Sequence, residues 1–398
     1  MISEKMITLV ENSSVIRQMF EEGKRLSKIY GADKVYDFSL GNPSVIPPKE
    51  VKEAIIDTLT NENENFVHGY MNNSGYEDVR SDIATSINKK FGTAFDESNL
   101  LMTVGAAGGI NVIFKTLLNP MDEVIVFAPF FGEYRNYADN FSSNLVIVSP
   151  NTKTFQPNLA EFEEKITDKT KVVIVNSPNN PTGVVYSEET IKQLAEILLK
   201  KEKEFNTSIY LISDEPYREL VYDNVEVPYL TKYYHNTIVA YSFSKSLSLP
   251  GERIGYLVMP KELDDSKQII EAANVANRIL GFVNAPSLIQ RIIPKCIDLQ
   301  IDVEIYNRNR ELLYNSLTEY GYDCIKPEGA FYLFVKALEE DDKNFVKEAK
   351  EYNILIVPGS SFGCPGYCRI AYCVDYSVIE GSLEGFKQLA KKYESKNI

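Results

Sequence analysis

One lysine stands where its amine could do chemistry. Lys245 closes Ser242-Phe243-Ser244-Lys245 at the end of an apolar, β-rich run, Thr237–Phe243, and Arg253 follows in Gly251-Glu252-Arg253-Ile254-Gly255. Asp214 opens Asp214-Glu215-Pro216-Tyr217 at the end of a second such run, Ile209–Ser213. Asn176-Ser177-Pro178-Asn179-Asn180-Pro181-Thr182-Gly183 closes a third, Lys171–Asn176, and Arg369 lies in Cys368-Arg369-Ile370-Ala371-Tyr372. An amine, a carboxylate, a phenol and two guanidinium groups suit covalent capture of a carbonyl, proton transfer and the clamping of anions. Taken singly, each segment has a plainer reading. Asn-Asn-Pro-Thr-Gly makes a good turn, an Asp at a strand end caps a helix, and a Lys after a strand is solvated.

The elements that must position these residues alternate. Tyr76, Val79, Ile83 and Ile87 recur at helical spacing, Leu100–Val104 reads as a short buried strand, Ala106–Leu118 as a helix and Glu123–Ala128 as a strand. Glu188–Lys203 is helical, and Ile254–Val258 is a further strand. Such alternation predicts an α/β fold with a mostly parallel central sheet, whose ligands bind at the carboxyl ends of the strands. From about Ala285 the pattern changes. A long helical stretch, Gln290–Leu317, with a kink at Pro294, precedes strand-like runs at Phe331–Val335, Ile354–Val357 and Cys368–Cys373 and a last helix near Val378–Tyr393. The expected organisation is a large domain over 45–285 and a smaller α/β domain made of 1–44 and 286–398.

Composition limits the functions open to this chain. Its 398 residues are 44% hydrophobic and 25% charged, ordinary values for a globular protein that needs no disulfide or metal to fold. The net charge of −14 disfavours nucleic-acid binding, because no basic patch offsets it. The five cysteines, Cys296, Cys324, Cys364, Cys368 and Cys373, fit a reducing cytosol, so a cytoplasmic location is expected. The spacing of the last three is not that of a zinc ribbon, and no metal is expected. Ser98–Phe114 and Tyr352–Cys368 are the longest uncharged stretches and are short for a bilayer span, so no membrane partner is expected.

Two motifs are decoys. Gly359-Ser360-Ser361-Phe362-Gly363 matches a serine-hydrolase elbow, but no histidine follows His235 to serve it. Gly105-Ala106-Ala107-Gly108-Gly109 opens a helix but is not a dinucleotide fingerprint; it suits a phosphate at a helix N-terminus. His68 and His235 read as ordinary histidines.

Together and in this order, the four segments resemble the class I/II pyridoxal-phosphate aminotransferases of fold type I, the aspartate aminotransferase-like enzymes. The resemblance runs from Ser39-Leu40-Gly41-Asn42-Pro43 to the last helix. It implies pyridoxal 5'-phosphate as cofactor, Lys245 as the Schiff-base lysine and proton carrier, and Asp214 as the partner of the pyridine nitrogen. Tyr217 and Asn180 match the two partners of the ring hydroxyl, and Phe131 the aromatic stacked on the ring. Gly105, Ala106, Ala107, Ser242 and Arg253 match the phosphate cradle. Arg369 matches the clamp on the substrate α-carboxylate, with the Gly41 backbone and Asn180 beside it. Tyr70 matches a tyrosine that reaches the neighbouring subunit's phosphate, which implies a homodimer with shared active sites.

The resemblance further implies transfer of an amino group between an L-amino acid, aspartate among the candidates, and a 2-oxo acid such as 2-oxoglutarate, in ping-pong order through pyridoxamine phosphate. Two departures stand out: Glu252 where tryptophan is frequent, and Gly41-Asn42-Pro43-Ser44 in place of Gly-Glu-Pro-Asp/Glu. An acidic side chain would need a second cation, and Arg278 is the candidate reader across the dimer interface. A C–S β-lyase or a decarboxylase on the same fold shares this core and is the alternative. A non-catalytic ligand sensor on the same fold ranks lower, since the expected DNA-binding module is absent.

Overall fold

The computed structural model describes residues 2–11 and 15–395. Twelve strands are defined in this part of the chain. Seven form the central sheet: β2 (Leu100–Thr103), β3 (Glu123–Phe127), β4 (Asn144–Val148), β5 (Thr170–Asn176), β6 (Tyr210–Asp214), β7 (Thr237–Ser242) and β8 (Gly255–Val258). Their spatial order is β2-β8-β7-β6-β5-β3-β4. All pairings are parallel except those of β8, which runs against both β2 and β7. The remaining strand β1 (Tyr36–Asp37) pairs in parallel with β10 (Ile354–Leu355), and β9 (Tyr332–Lys336), β11 (Val357–Pro358) and β12 (Tyr367–Ala371) make an antiparallel sheet with β12 in the middle.

The central strands read as continuous apolar runs because both sheet faces are covered. Val124 and Val126 of β3 face one core, with Ile113 and Phe114 of helix Gly105–Leu117 and Ala273 of helix Ser266–Ile279. Ile125 and Phe127 face the other, with Leu194 and Leu198 of helix Glu188–Phe205 and Phe162 of helix Leu159–Lys165. The same period of two sorts Val172 and Ile174 from Val173 and Val175. Side-chain caps set several helix starts: Ser187 accepts from Thr190 N, and Asn158 from Glu161 N. Among the described residues, no helix is long and apolar enough to cross a membrane.

One sequence expectation fails. The stretch Gln290–Leu317 is two helices, Ser287–Cys296 and Val303–Glu319, rather than one kinked at Pro294. Pro294 lies inside the first helix without ending it. The break comes at 297–302, where the Asp302 side chain accepts from Glu304 N and starts the second helix. The same break frees Ile301 N to donate to Ser246 O, next to Lys245. Ser287–Cys296 packs its Ile289, Ile292 and Ile293 with Tyr76 and Met102, on the β2 side of the central sheet.

Candidate active site

The carboxyl ends of the strands deliver the site. In register, Asn176 at the end of β5 lies beside Asp214 at the end of β6, and Ser242 ends β7 next to Gly255. Gly255 also pairs with Thr103, the last residue of β2. Because β8 is reversed, the residues just before it arrive at the same edge as those just after β2, β6 and β7. They line a pocket of about 290 Å³ that contains Gly41, Ala106, Ala107, Phe131, Asn180, Asp214, Tyr217, Ser242, Lys245, Arg253 and Arg369. Eleven of the thirteen expected site residues therefore meet in one place.

The other two lie outside the lining. Gly105 is directly behind it: its φ is +75°, and a Cβ there would come within 2.9 Å of Arg253 Nη2. Tyr70 is 94% exposed and borders a separate surface hollow with His68 and Asn284. Arg278 is exposed and does not line the pocket either.

Lys245 is held on the four-residue helix Phe243–Ser246, which Ser242 caps through Ser244 N. Its Nζ donates to Gly41 O at 2.7 Å and lies 5.3 Å from the Phe331 ring centre. Burial lowers its pKa to about 8; nearby Cys373 opposes the shift, and Arg253 and Arg369 reinforce it. A neutral amine is therefore within reach at physiological pH.

Asp214 is fully enclosed, and burial raises its pKa to about 7. Its Oδ2 accepts from the Tyr134 hydroxyl, while Oδ1 is buried with no partner. The Tyr217 hydroxyl is 2.9 Å from the Tyr332 hydroxyl. Arg369, in the middle strand of the small sheet, donates to Asn180 Oδ1 at 3.1 Å and to Ser39 O at 2.6 Å, and its Nε is buried without a partner. Its guanidinium is 4.7 Å from the Tyr332 ring centre. Gly41 must be glycine, since a Cβ would fall 2.0 Å from Tyr332 Oη.

This donor set fits pyridoxal phosphate. Asp214 Oδ1 is an acceptor awaiting a buried N–H, such as a protonated ring nitrogen, and leaving it unpaired costs roughly 1–3 kcal/mol. The helix N-terminus at Gly105–Ala107, the Ser242 hydroxyl and Arg253 face the same space and suit a phosphate dianion. Phe131 lines the pocket and packs edge-on against Tyr134, with 86° between the rings.

Several site residues went unassigned in the sequence. Tyr134 and Asn176 lay inside quoted motifs, but nothing there said that Tyr134 would bond Asp214 or that Asn176 Nδ2 would donate to Asp214 O at 3.0 Å. Tyr137, three residues after Tyr134 on helix Glu133–Asn140, carries an i, i+3 signal that could have been used. Tyr332 comes from the distant small sheet and Cys373 from just beyond its middle strand, and neither had a local signal. Elsewhere, Glu202, His235 and Asp264 approach one another, but both carboxylates already accept hydrogen bonds from Asn236.

The profile of the aminotransferase class I and II family matches residues 33–384. A probable N-acetyl-LL-diaminopimelate aminotransferase of Bacillus subtilis (strain 168) is 30% identical over 358 residues, 88% of this chain and 88% of that one. A probable aspartate/prephenate aminotransferase of Aquifex aeolicus is 30% identical over 90% of this chain and 91% of that one. A crystal structure described as an amino transferase from Eubacterium rectale superposes with a TM-score of 0.96 at 47% identity, covering 99% of both chains.

Proposed function

The chain belongs to the class I and II aminotransferases, pyridoxal-phosphate enzymes of fold type I, and on that premise we propose how its own residues divide the work. When bound, the cofactor supplies a carbonyl to receive the amino group and a ring that accepts electrons. Lys245 anchors it, then carries a proton to and from the substrate α-carbon. An amine with a pKa of about 8 is suited to both tasks near neutral pH. Asp214 Oδ1 accepts from the ring nitrogen and keeps it protonated, while Tyr134 holds the carboxylate in place. Asn180 and Tyr217 serve the ring hydroxyl, Phe131 covers the ring face, and Gly105, Ala106, Ala107, Ser242 and Arg253 hold the phosphate.

Arg369 receives the substrate α-carboxylate beside the Gly41 backbone. Its unpartnered Nε is a donor waiting for such an acceptor, and a planar guanidinium pairs with a carboxylate in two-pronged fashion. The observation that carries this reading is the meeting of the Lys245 amine, the unpaired Asp214 oxygen and the unpaired Arg369 nitrogen in one pocket.

The amino donor is an L-amino acid and the acceptor a 2-oxo acid such as 2-oxoglutarate. Aspartate enters as a candidate donor because a relative bears that name. Tyr70 reaches the phosphate of a second subunit, so the working form is a homodimer with shared sites in the cytoplasm. The division into 45–285 and 1–44 with 286–398 is part of the same proposal; the packing of helix Ser287–Cys296 on the central side favours a boundary after that helix.

The test is borohydride reduction of the pyridoxal-phosphate-loaded protein followed by peptide mapping. The trapped adduct is expected on Lys245 and absent from Lys245→Ala. In the unreduced protein, adding amino acids should bleach the visible band only as far as one equivalent of keto acid, with further turnover requiring 2-oxoglutarate. Continuous keto-acid release without an acceptor would instead make the enzyme a β-lyase.

A further inference from the structure

A buried polar chain lies behind Lys245, on the side away from the pocket. Ser246 follows the lysine on its short helix, and Ser246 Oγ accepts from the Tyr241 hydroxyl at 2.9 Å. Glu219 lines the same small hollow as Tyr241 and interacts with it electrostatically. Tyr241 stands on β7, and Glu219 stands on the segment that leaves Asp214 and Tyr217. The Tyr241–Ser246 bond therefore ties strand β7 to the helix holding the amine, beside the segment that holds the carboxylate and phenol.

Nothing in the proposed chemistry uses these groups, yet burying them is costly. Glu219 Oε2 and the Tyr229 hydroxyl are both buried without partners on this side. Arg218 acts on Glu219 only through space. Its guanidinium is committed to Glu215 and to the carbonyls of Val227 and Pro228, with its plane 5.1 Å from the ring centres of Phe91 and Tyr229. Lys90 and Tyr256 are the other ionisable groups facing Glu219. Burial raises the Glu219 pKa, while Tyr241, Arg218 and Lys90 act to lower it. The Tyr241 hydroxyl commits its one proton to Ser246 Oγ. Ile301 N donates to Ser246 O at 3.3 Å and fixes the same residue from its backbone.

We propose that Tyr241 and Ser246 are positioning residues that set the placement, and through it the basicity, of the Lys245 amine. This rests on Lys245 being the anchoring amine. The chain keeps helix Phe243–Ser246 seated so that Nζ stays within 2.7 Å of Gly41 O, among Cys373, Arg253 and Arg369 and away from water. When the chain is cut, the helix loosens, water reaches Nζ, and the amine drifts back toward an ordinary lysine.

The test measures the pH dependence of Lys245 acetylation by acetic anhydride in the full-length protein free of added cofactor, read by peptide mass spectrometry. Ser246→Ala and Tyr241→Phe should each raise the midpoint by about half a unit or more. Ser246→Ala changes little volume, so it remains informative should Tyr241→Phe unfold. Unchanged midpoints in both cutting variants would overturn the proposal. So would a shift in Tyr241→Phe without one in Ser246→Ala. Borohydride trapping on the parent protein separates this outcome from a wrong choice of lysine, because a trapped adduct elsewhere refutes the anchoring role and leaves the acetylation result standing.

Discussion

At the scale of single residues, the site is made by partners that are missing as much as by those present. Asp214 shows this most directly. Burial has raised it to about 7, and the Tyr134 bond pulls the other way. A carboxyl whose folded pKa lies above its unfolded value adds stability below the unfolded pKa and loses it as pH rises through the folded one. In the protein free of cofactor, Asp214→Asn should therefore match the parent near pH 4 and exceed it by roughly 4 kcal/mol above pH 7. Urea unfolding at pH 4 and pH 8 measures the difference, and the same variant should lose transamination. Tyr134→Phe removes a bond that lowers the Asp214 pKa, so the carboxyl should ionise at higher pH. Its acid limb in a kcat/KM profile should move up, whereas a passive role for Tyr134 would leave that limb in place. The identities of Lys245, Asp214 and Arg369 were legible because each is a chemically demanding residue in a short, ordered motif. Tyr134 was not, since an aromatic three residues after another reads equally well as core.

At the scale of elements, the strand ends were legible and the helix starts less so. Apolar runs of five to seven residues bounded by turn residues identified β3, β5, β6 and β7 to within a residue or two. Strand β4 and the helix Glu133–Asn140 were passed over: β4 is partly exposed at the sheet edge, and the short helix lacks a clear apolar stripe. The break at 297–302 carries no proline or glycine to mark it, whereas Pro294, the eighth residue of helix Ser287–Cys296, is accommodated in the last turn of that helix. Gly105 illustrates an element whose backbone leaves no choice. With φ at +75° and Arg253 2.9 Å from where a Cβ would sit, Gly105→Ala should strain the turn and push the guanidinium aside. Pyridoxal-phosphate affinity, measured by equilibrium dialysis, should fall at least about tenfold, or roughly 1.4 kcal/mol. An unchanged affinity would remove this glycine from the cradle.

At the scale of the whole molecule, two residues expected near the chemistry point outward. Tyr70 is 94% exposed and Arg278 is exposed, a costly display for an aromatic unless another surface covers it. Sequence could name both but could not say where they go, because contacts with the proposed second subunit leave no mark within one chain. Mixing Tyr70→Ala with Lys245→Ala protein under subunit exchange should restore about a quarter of parental activity, since half the dimers then carry one intact site. No recovery would mean each site is complete within its own chain. Arg278→Ala should lower aspartate turnover more than that of neutral amino acids; equal losses would make it an ordinary surface arginine.

The reversed strand β8 has one more consequence. Because β8 doubles straight back from β7, Ser242 and Gly255 are paired, and everything between them is a closed loop whose two ends are stapled. The lysine and the phosphate-facing arginine both ride on it. Such a loop has a fixed contour, so its contents tolerate exchange of one letter for another far better than a change in count. Evolution can respell this stretch, but adding or removing a single residue would dislodge anchor and cradle together.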